Sequence, residues 1–259
     1  MRSNGQVTWS FPTPESAAFA HFAQHGFVVI ENVLDDAAVA ELQNALARAA
    51  DSSPTHQRAG STYGMRNLLD QVPAIRELAN SPALRMLVEP VLGDDAFPVK
   101  GILFDKTPDA NWKVAWHQDT TICVRERIEV PGFAAWSVKD GVVNVQPPED
   151  VLSSIMTIRL HLDDCGAENG PLRVLPGSHK SGRLSGEDID RWRTEHTPIT
   201  CAVGRGGALL MRPLTLHASS AAQNPGHRRV IHLEFAGRAL PGGLAWAVNS
   251  CPHPVRAAL

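Results

Sequence analysis

The chain has 259 residues, a formal net charge of −3, and 43% hydrophobic and 20% charged residues. That is a globular composition with enough length for a full core, and without a basic block it argues against nucleic acid or an anionic membrane surface as main partner. No apolar run nears the roughly 20 residues of a membrane span, and the first residues lack an apolar signal segment, so a cytoplasmic protein is expected.

In chain order, "PESAAFAHFAQHG" carries helical spacing with a glycine stop at Gly26. A short strand "FVVIENVL" follows, then the amphipathic helix "DDAAVAELQNALARAADS", with Asp35 and Asp36 as caps. "RNLLDQVPAIRELANSPALRMLVEPVLG" reads as two shorter helices, with Pro82 near the start of the second. After Gly93 the character changes to short strands divided by Gly, Pro, Asn and Asp: "FPVKGILFDK", "WKVAWHQD", "SIMTIRLHLDD", "LRVLPG", "ITCAV", "GALLMRP", "LTLHASS" and "RRVIHLEFAG". Helices first and turn-linked strands afterwards predict an α+β chain with a sandwich or barrel at its centre. No repeat or linker divides 1–259, so one domain is expected, mainly helical over 1–93. Residues 122–150 contain few obvious strands and read as a lid-like insertion. The four cysteines, Cys123, Cys165, Cys201 and Cys251, form no CxxC and predict reduced thiols rather than a disulfide framework.

"WHQDTT" holds His117 and Asp119, which on a strand would share one face. With a third ligand they would make a two-His-one-carboxylate set suited to Fe(II). HxD alone is a weak signal, and His161-Leu162-Asp163 and His232-Leu233-Glu234 are rivals. Taken singly, each reads as a structural strand pair. "LTLHASSAAQNPGHRRVIHLEF" puts His217 at the end of a strand and begins the next at Arg228. Arg228, Val230, His232 and Glu234 share one face of it; Arg229, Ile231, Leu233 and Phe235 share the other, mostly apolar one. An arginine one hairpin from a metal-binding histidine could clamp a carboxylate.

"WHQDTT", "LHLDDCGAENGPLRVLPGSHKSGRL" and "HASSAAQNPGHRR" together resemble the phytanoyl-CoA dioxygenase family of Fe(II)/2-oxoglutarate oxygenases. The matching positions are His117 and Asp119, Asn169 to Leu172 with Pro176 to His179, and His217 followed eleven residues later by Arg228. The resemblance implies a double-stranded β-helix, or jelly roll, over 94–240, with N-terminal helices packed on one sheet. It implies His117, Asp119 and His217 as the iron ligands and Arg228 for the far carboxylate of 2-oxoglutarate, with Ser219 contacting the same carboxylate and Gln118 near cosubstrate or substrate; O2 completes the reactants. Because Asp119 is present, hydroxylation is implied rather than halogenation. His179 is expected to be structural.

Arg159 alternates with apolar residues and shares a face with Thr157 and His161. That face could serve an acid group of cosubstrate or substrate, with Thr157 on the cosubstrate side. Trp136, with Arg125 and Arg127 near it, and Arg66, beside Asn67, are the remaining candidates for contact with a small-molecule substrate. Two other classes compete: a jelly-roll protein that binds metal or ligand without chemistry, and a zinc hydrolase on the same ligands. The complete ligand set plus Arg228 speaks against the first, and the lack of a separate general base against the second. Substrate identity and oligomeric state are left open.

Overall fold

The computed structural model describes residues 8–10, 15–52, 56–58 and 61–248; the thiol expected at Cys251 lies outside them. The chain begins with β1 (Thr8–Ser10), α1 (Glu15–His25), β2 (Phe27–Glu31) and α2 (Asp36–Ser52). The stop after α1 is Gly26, at φ +82, a left-handed value that side chains resist. A Cβ there would lie 2.3 Å from His179 Nδ1 and 2.6 Å from Thr215 Oγ1, so the packing requires glycine as well. Asp35 caps α2 as expected, its Oδ1 accepting from Ala38 N at 2.8 Å.

Two short strands unforeseen in the sequence follow, β3 (His56–Arg58) and β4 (Ser61–Met65). The next stretch, expected as two helices, is three: α3 (Leu68–Gln71), α4 (Pro73–Ala79) and α5 (Pro82–Leu92). Proline explains the extra break. The residue before a proline avoids the helical region, so Val72 is extended (φ −125, ψ 97) and Pro73 opens a new helix, as Pro82 does.

The rest of the chain runs β5 (Phe97–Lys106), β6 (Val114–His117), β7 (Ile122–Val124), β8 (Ala134–Lys139), β9 (Val142–Gln146), α6 (Glu149–Ser153), β10 (Ile155–His161), β11 (Leu172–Val174), α7 (Gly186–Glu195), β12 (Ile199–Cys201), β13 (Ala208–Met211), β14 (His217–Ser219) and β15 (Arg228–Ala236). The large sheet has the order β1-β2-β13-β10-β15-β5-β4-β3, and a smaller one β12-β11-β14-β6. Side chains alternate across the large sheet. Met156, Ile158, Leu160, Leu210, Ile231, Leu233 and Phe235 point to the N-terminal helices and form one core with Phe22, Leu42, Leu46, Leu69, Ile75 and Leu84. On its other face Phe27, Val29, Leu209 and Met211 meet Leu172, Val174, Cys201 and Val203 of the smaller sheet side. This is the expected jelly roll with helices on one sheet. Its interior also holds the polar side chains of β10 and β15.

Residues 122–150 carry more structure than the sequence suggested: β7, β9 and β8 form a third, antiparallel sheet. β8 is exposed along nearly its whole length, which removes the apolar periodicity that marks a strand. The overlooked signal was Asp140-Gly141, whose positive φ values (48 and 78) are those of a tight hairpin turn. Ile122, Val124 and Val145 anchor this sheet in a core with Leu152, Leu214 and Trp246. Among the described residues Cys123, Cys165 and Cys201 are free thiols, and no helix is long and apolar enough to cross a membrane.

Candidate metal centre and anion cradle

His117 closes β6 and His217 opens β14, correcting the expectation that His217 ends its strand. The two strands are antiparallel neighbours with His217 directly opposite His117, and the rings lie 4.2 Å apart. The chain leaves β6 in a turn held by Asp119 N donating to Pro213 O at 2.9 Å. That turn puts Asp119 Oδ1 3.7 Å from His117 Nε2 and Oδ2 3.7 Å from His217 Nε2. One donor atom from each of the three lies within 4.8 Å of the others, the single such group of His, Cys, Asp and Glu among the described residues.

Backbone carbonyls fix the imidazoles. His117 Nδ1 lies 2.8 Å from Ala115 O, and His217 Nδ1 2.9 Å from Thr215 O. A carbonyl only accepts, so each Nδ1 carries the hydrogen and each Nε2 turns a lone pair to the centre. Burial drives the His217 pKa down to about 4, against the pull of Asp119, so the ring is neutral near pH 7. Desolvation pushes the Asp119 carboxyl up, but His217, His232, Lys100 and His117 outweigh it and hold it below the usual carboxylate range. Two imidazoles and a carboxylate on one point fit a first-row divalent metal with open positions, Fe(II) among them.

The rival pairs do not converge. His161 points into the barrel interior, whereas Asp163, beyond the strand end, takes Arg229 with Oδ2 2.9 Å from Nε and Oδ1 2.6 Å from Nη2. His232 Nε2 and Glu234 Oε1 bond each other at 3.2 Å.

Arg228 and Arg229 divide as the alternation predicts. Arg229 is on the outer side with Asp163. Arg228 is 4% exposed; its Nη1 donates to Gly170 O and its Nε is buried without a partner. Directly across, on β5, stands Lys106, wholly buried, with Nζ 3.3 Å from Ser219 Oγ. Among the described residues no carboxylate forms an ion pair with Arg228 or Lys106. A buried guanidinium with a free nitrogen, across from a lysine that meets a serine hydroxyl, fits the far carboxylate of a dicarboxylic 2-oxo acid.

Arg159 also faces inward. Its Nη1 donates to His232 Nδ1 at 2.9 Å, which leaves His232 Nε2 to donate to Glu234, itself 2.7 Å from Lys100 Nζ. Thr157, two positions from Arg159 and opposite Glu234, has a buried hydroxyl without a partner. Lys100 and Lys106 were missed in the sequence. Both sit in "FPVKGILFDK", where a lysine reads as a solvated strand residue until the neighbouring strand is known.

Three of the expected contact residues are held by other parts of the chain. Gln118, in the turn after β6, directs its amide to Gly182, Leu184 and Leu214. Its amide is fully used: Nε2 donates to Gly182 O and Leu214 O, both at 2.8 Å, and Oε1 accepts from Leu184 N at 2.9 Å. It pins a loop. Arg66 is held by Asp140 at 2.7 Å and ties the β8–β9 hairpin to the body of the protein. Trp136 packs against the third-sheet core, with the Arg127 guanidinium 5.4 Å over its ring. His179 lies against Gly26, in the structural place expected.

The chain resembles an ectoine dioxygenase from Sphingopyxis alaskensis, with 25% identity over 182 residues, 67% of this chain and 53% of that protein; it thus spans about half the length of this curated relative. The fold matches EctD from S. alaskensis solved with 2-oxoglutarate and 5-hydroxyectoine (TM-score 0.67, 21% identity, 91% of this chain and 78% of that one). It also matches AviO1 from Streptomyces viridochromogenes (TM-score 0.64, 23% identity, 88% and 97%). The carbocyclase SnoK of nogalamycin biosynthesis, described as non-heme and alpha ketoglutarate dependent, is a third such match (TM-score 0.67, 16% identity, 87% and 86%). The phytanoyl-CoA dioxygenase family model matches residues 22–230, nearly the whole described chain, and the chain belongs to that family.

Proposed function

We propose that the protein is an Fe(II)/2-oxoglutarate-dependent dioxygenase that hydroxylates a small molecule: substrate C–H, 2-oxoglutarate and O2 give C–OH, succinate and CO2. The observation that carries this reading is the convergence of His117, Asp119 and His217, with both imidazoles oriented by backbone carbonyls. When bound, the iron and cosubstrate supply the oxidising chemistry. The chain's residues bind and orient. His117, Asp119 and His217 would hold the metal on one side and leave the rest of its coordination sphere to ligands. Arg228 and Ser219 would receive the far carboxylate of 2-oxoglutarate and so fix which way its 2-oxo acid end points. The retained Asp119 carboxylate occupies a ligand position that a halide would need. The aliphatic and aromatic walls, Phe27, Val29, Leu172, Val174 and Phe104, keep water from the interior.

The substrate side is the third-sheet side of the metal, where Arg66 and Trp136 act on the hairpin instead of on a ligand directly. Arg159 is assigned to the interior charge of the site, with Thr157 two positions along the same face.

Anaerobic addition of Fe(II) and then 2-oxoglutarate tests the reading. A weak visible charge-transfer band that disappears in His217→Ala is expected. Tight zinc binding with no band under any iron loading would point instead to a metal-binding jelly roll without this chemistry.

A further inference from the structure

A fully buried lysine facing a buried arginine, with no anion between them among the described residues, is costly unless something else compensates. Lys106 and Arg228 are a register pair on β5 and β15 and point to the same interior. The Lys106 ammonium has two polar partners, Ser219 Oγ at 3.3 Å and Ser220 O, and the Trp112 ring 5.8 Å away. An ammonium has three hydrogens, so one direction is unfilled. The space about it is preserved by Gly170, at φ +60, where a Cβ would lie 3.0 Å from Lys106 Nζ and 2.5 Å from Ser220 O.

The groups facing Lys106 are Arg228 from β15, Arg159 from β10, Cys165 from the β10–β11 connection and Ser219 from β14. Two are cations. The third charge-bearing candidate, Cys165, is no anion, because burial pushes its thiol pKa up. Asp105, next to Lys106 in sequence, is on the opposite side of β5, where Oδ2 lies 2.8 Å from His227 Nδ1 and Oδ1 accepts from Arg228 N at 3.1 Å.

We propose that Lys106 is a second cation for the far carboxylate of 2-oxoglutarate, sharing it with Arg228 and taking up a proton as the anion binds. The inference rests on the assignment of Arg228 and Ser219 made above. Burial first, then Arg228, lowers the Lys106 pKa to about 7 in the free protein. A carboxylate brought against Nζ favours the charged form and raises it. Between these two pKa values the free protein is largely deprotonated at Lys106 and the complex protonated. 2-Oxoglutarate enters fully ionised, so the proton comes from the buffer.

Titration calorimetry of the anaerobic Fe(II)-loaded full chain at about pH 8, in buffers of different ionisation enthalpy, counts that proton. Near one proton taken up per 2-oxoglutarate is expected, and none with 2-oxovalerate, which keeps the 2-oxo acid end and lacks the far carboxylate. Lys106→Met should lose the uptake and weaken 2-oxoglutarate at least tenfold while binding 2-oxovalerate as the parent does. An unchanged proton count in Lys106→Met, or equal weakening of both acids, would overturn the proposal; the latter would make Lys106 a structural pin. Arg228→Met separates the two layers. If it does not weaken 2-oxoglutarate selectively, the cradle itself is misassigned. If it does and Lys106→Met does not, only the role of Lys106 falls.

Discussion

Replacing Arg228 and Arg229 one at a time by alanine discriminates between the two faces of β15. Arg228 is 4% exposed, with a buried Nε lacking a partner, so a carboxylate bound there would be desolvated. Removing one member of such a pair costs about 2–5 kcal/mol, since the other charge is left unpaired. At 1.4 kcal/mol per decade, about 3 kcal/mol corresponds to on the order of a hundredfold weaker 2-oxoglutarate. Arg229 instead grips Asp163 on the outer side, with its side chain 26% exposed. After Arg229→Ala, Asp163 still accepts from the residue 229 backbone N and from Gln43 Nε2. The loss should be about 1 kcal/mol of stability, with 2-oxoglutarate binding within about twofold of the parent. Anaerobic titration of the charge-transfer band gives the affinity, and a melting curve gives the stability. A large affinity loss at Arg229 and none at Arg228 would mean that β15 is slipped by one residue, and every facing assignment on it would reverse.

His117→Ala and Asp119→Ala should lose Fe(II), measured by anaerobic equilibrium dialysis, and melt cooperatively, whereas His161→Ala should keep the metal. In hydrogen exchange, β8 should exchange fast and β7 and β9 slowly, since only the latter bring buried side chains to the core; Arg66→Ala should speed exchange over 134–146 and leave metal affinity unchanged. Gly26→Ala should cost about 2 kcal/mol or more, seen as a Tm several degrees lower, from left-handed backbone and the His179 contact combined. Ligand-free Lys106→Met should be more stable than the parent near pH 7. A lysine lowered to about 7 in the folded state and near its ordinary value of about 10.4 when unfolded withdraws stability as pH falls between the two, and methionine removes that slope.

Where one physical rule dominated a stretch, the fold could be read from the sequence. The β15 segment shows this: apolar residues at 231, 233 and 235 alternate with polar ones at 228, 232 and 234, and the structure turns the first set to the helices and the second to the interior. Capping by Asp35 and the glycine stop at 26 are equally local. The errors arose where two rules competed. Proline at 73 outweighed helical periodicity and divided a helix. In β8, pairing with β9 formed a strand in which every residue but Trp136 is exposed, so the hydrophobic pattern was silent and only the Asp-Gly turn could have revealed it.

The candidate site divides along the same line. His117, Asp119 and His217, which the structure brings together, could be grouped in the sequence because their spacing and neighbours survive in one dimension. Gln118, expected near the cosubstrate by the same proximity, lies in the turn just past β6, where its amide is taken up by Gly182, Leu184 and Leu214. Lys106 was invisible for the converse reason. It is 122 positions before Arg228, and nothing local distinguishes it from a surface lysine at a strand end. Its character comes from the β5–β15 register, which sets the two cations side by side, and from Gly170, which leaves room for the lysine. A buried charge is thus defined by its pairing across strands, and single-strand patterns recover only those members that a neighbouring motif happens to mark.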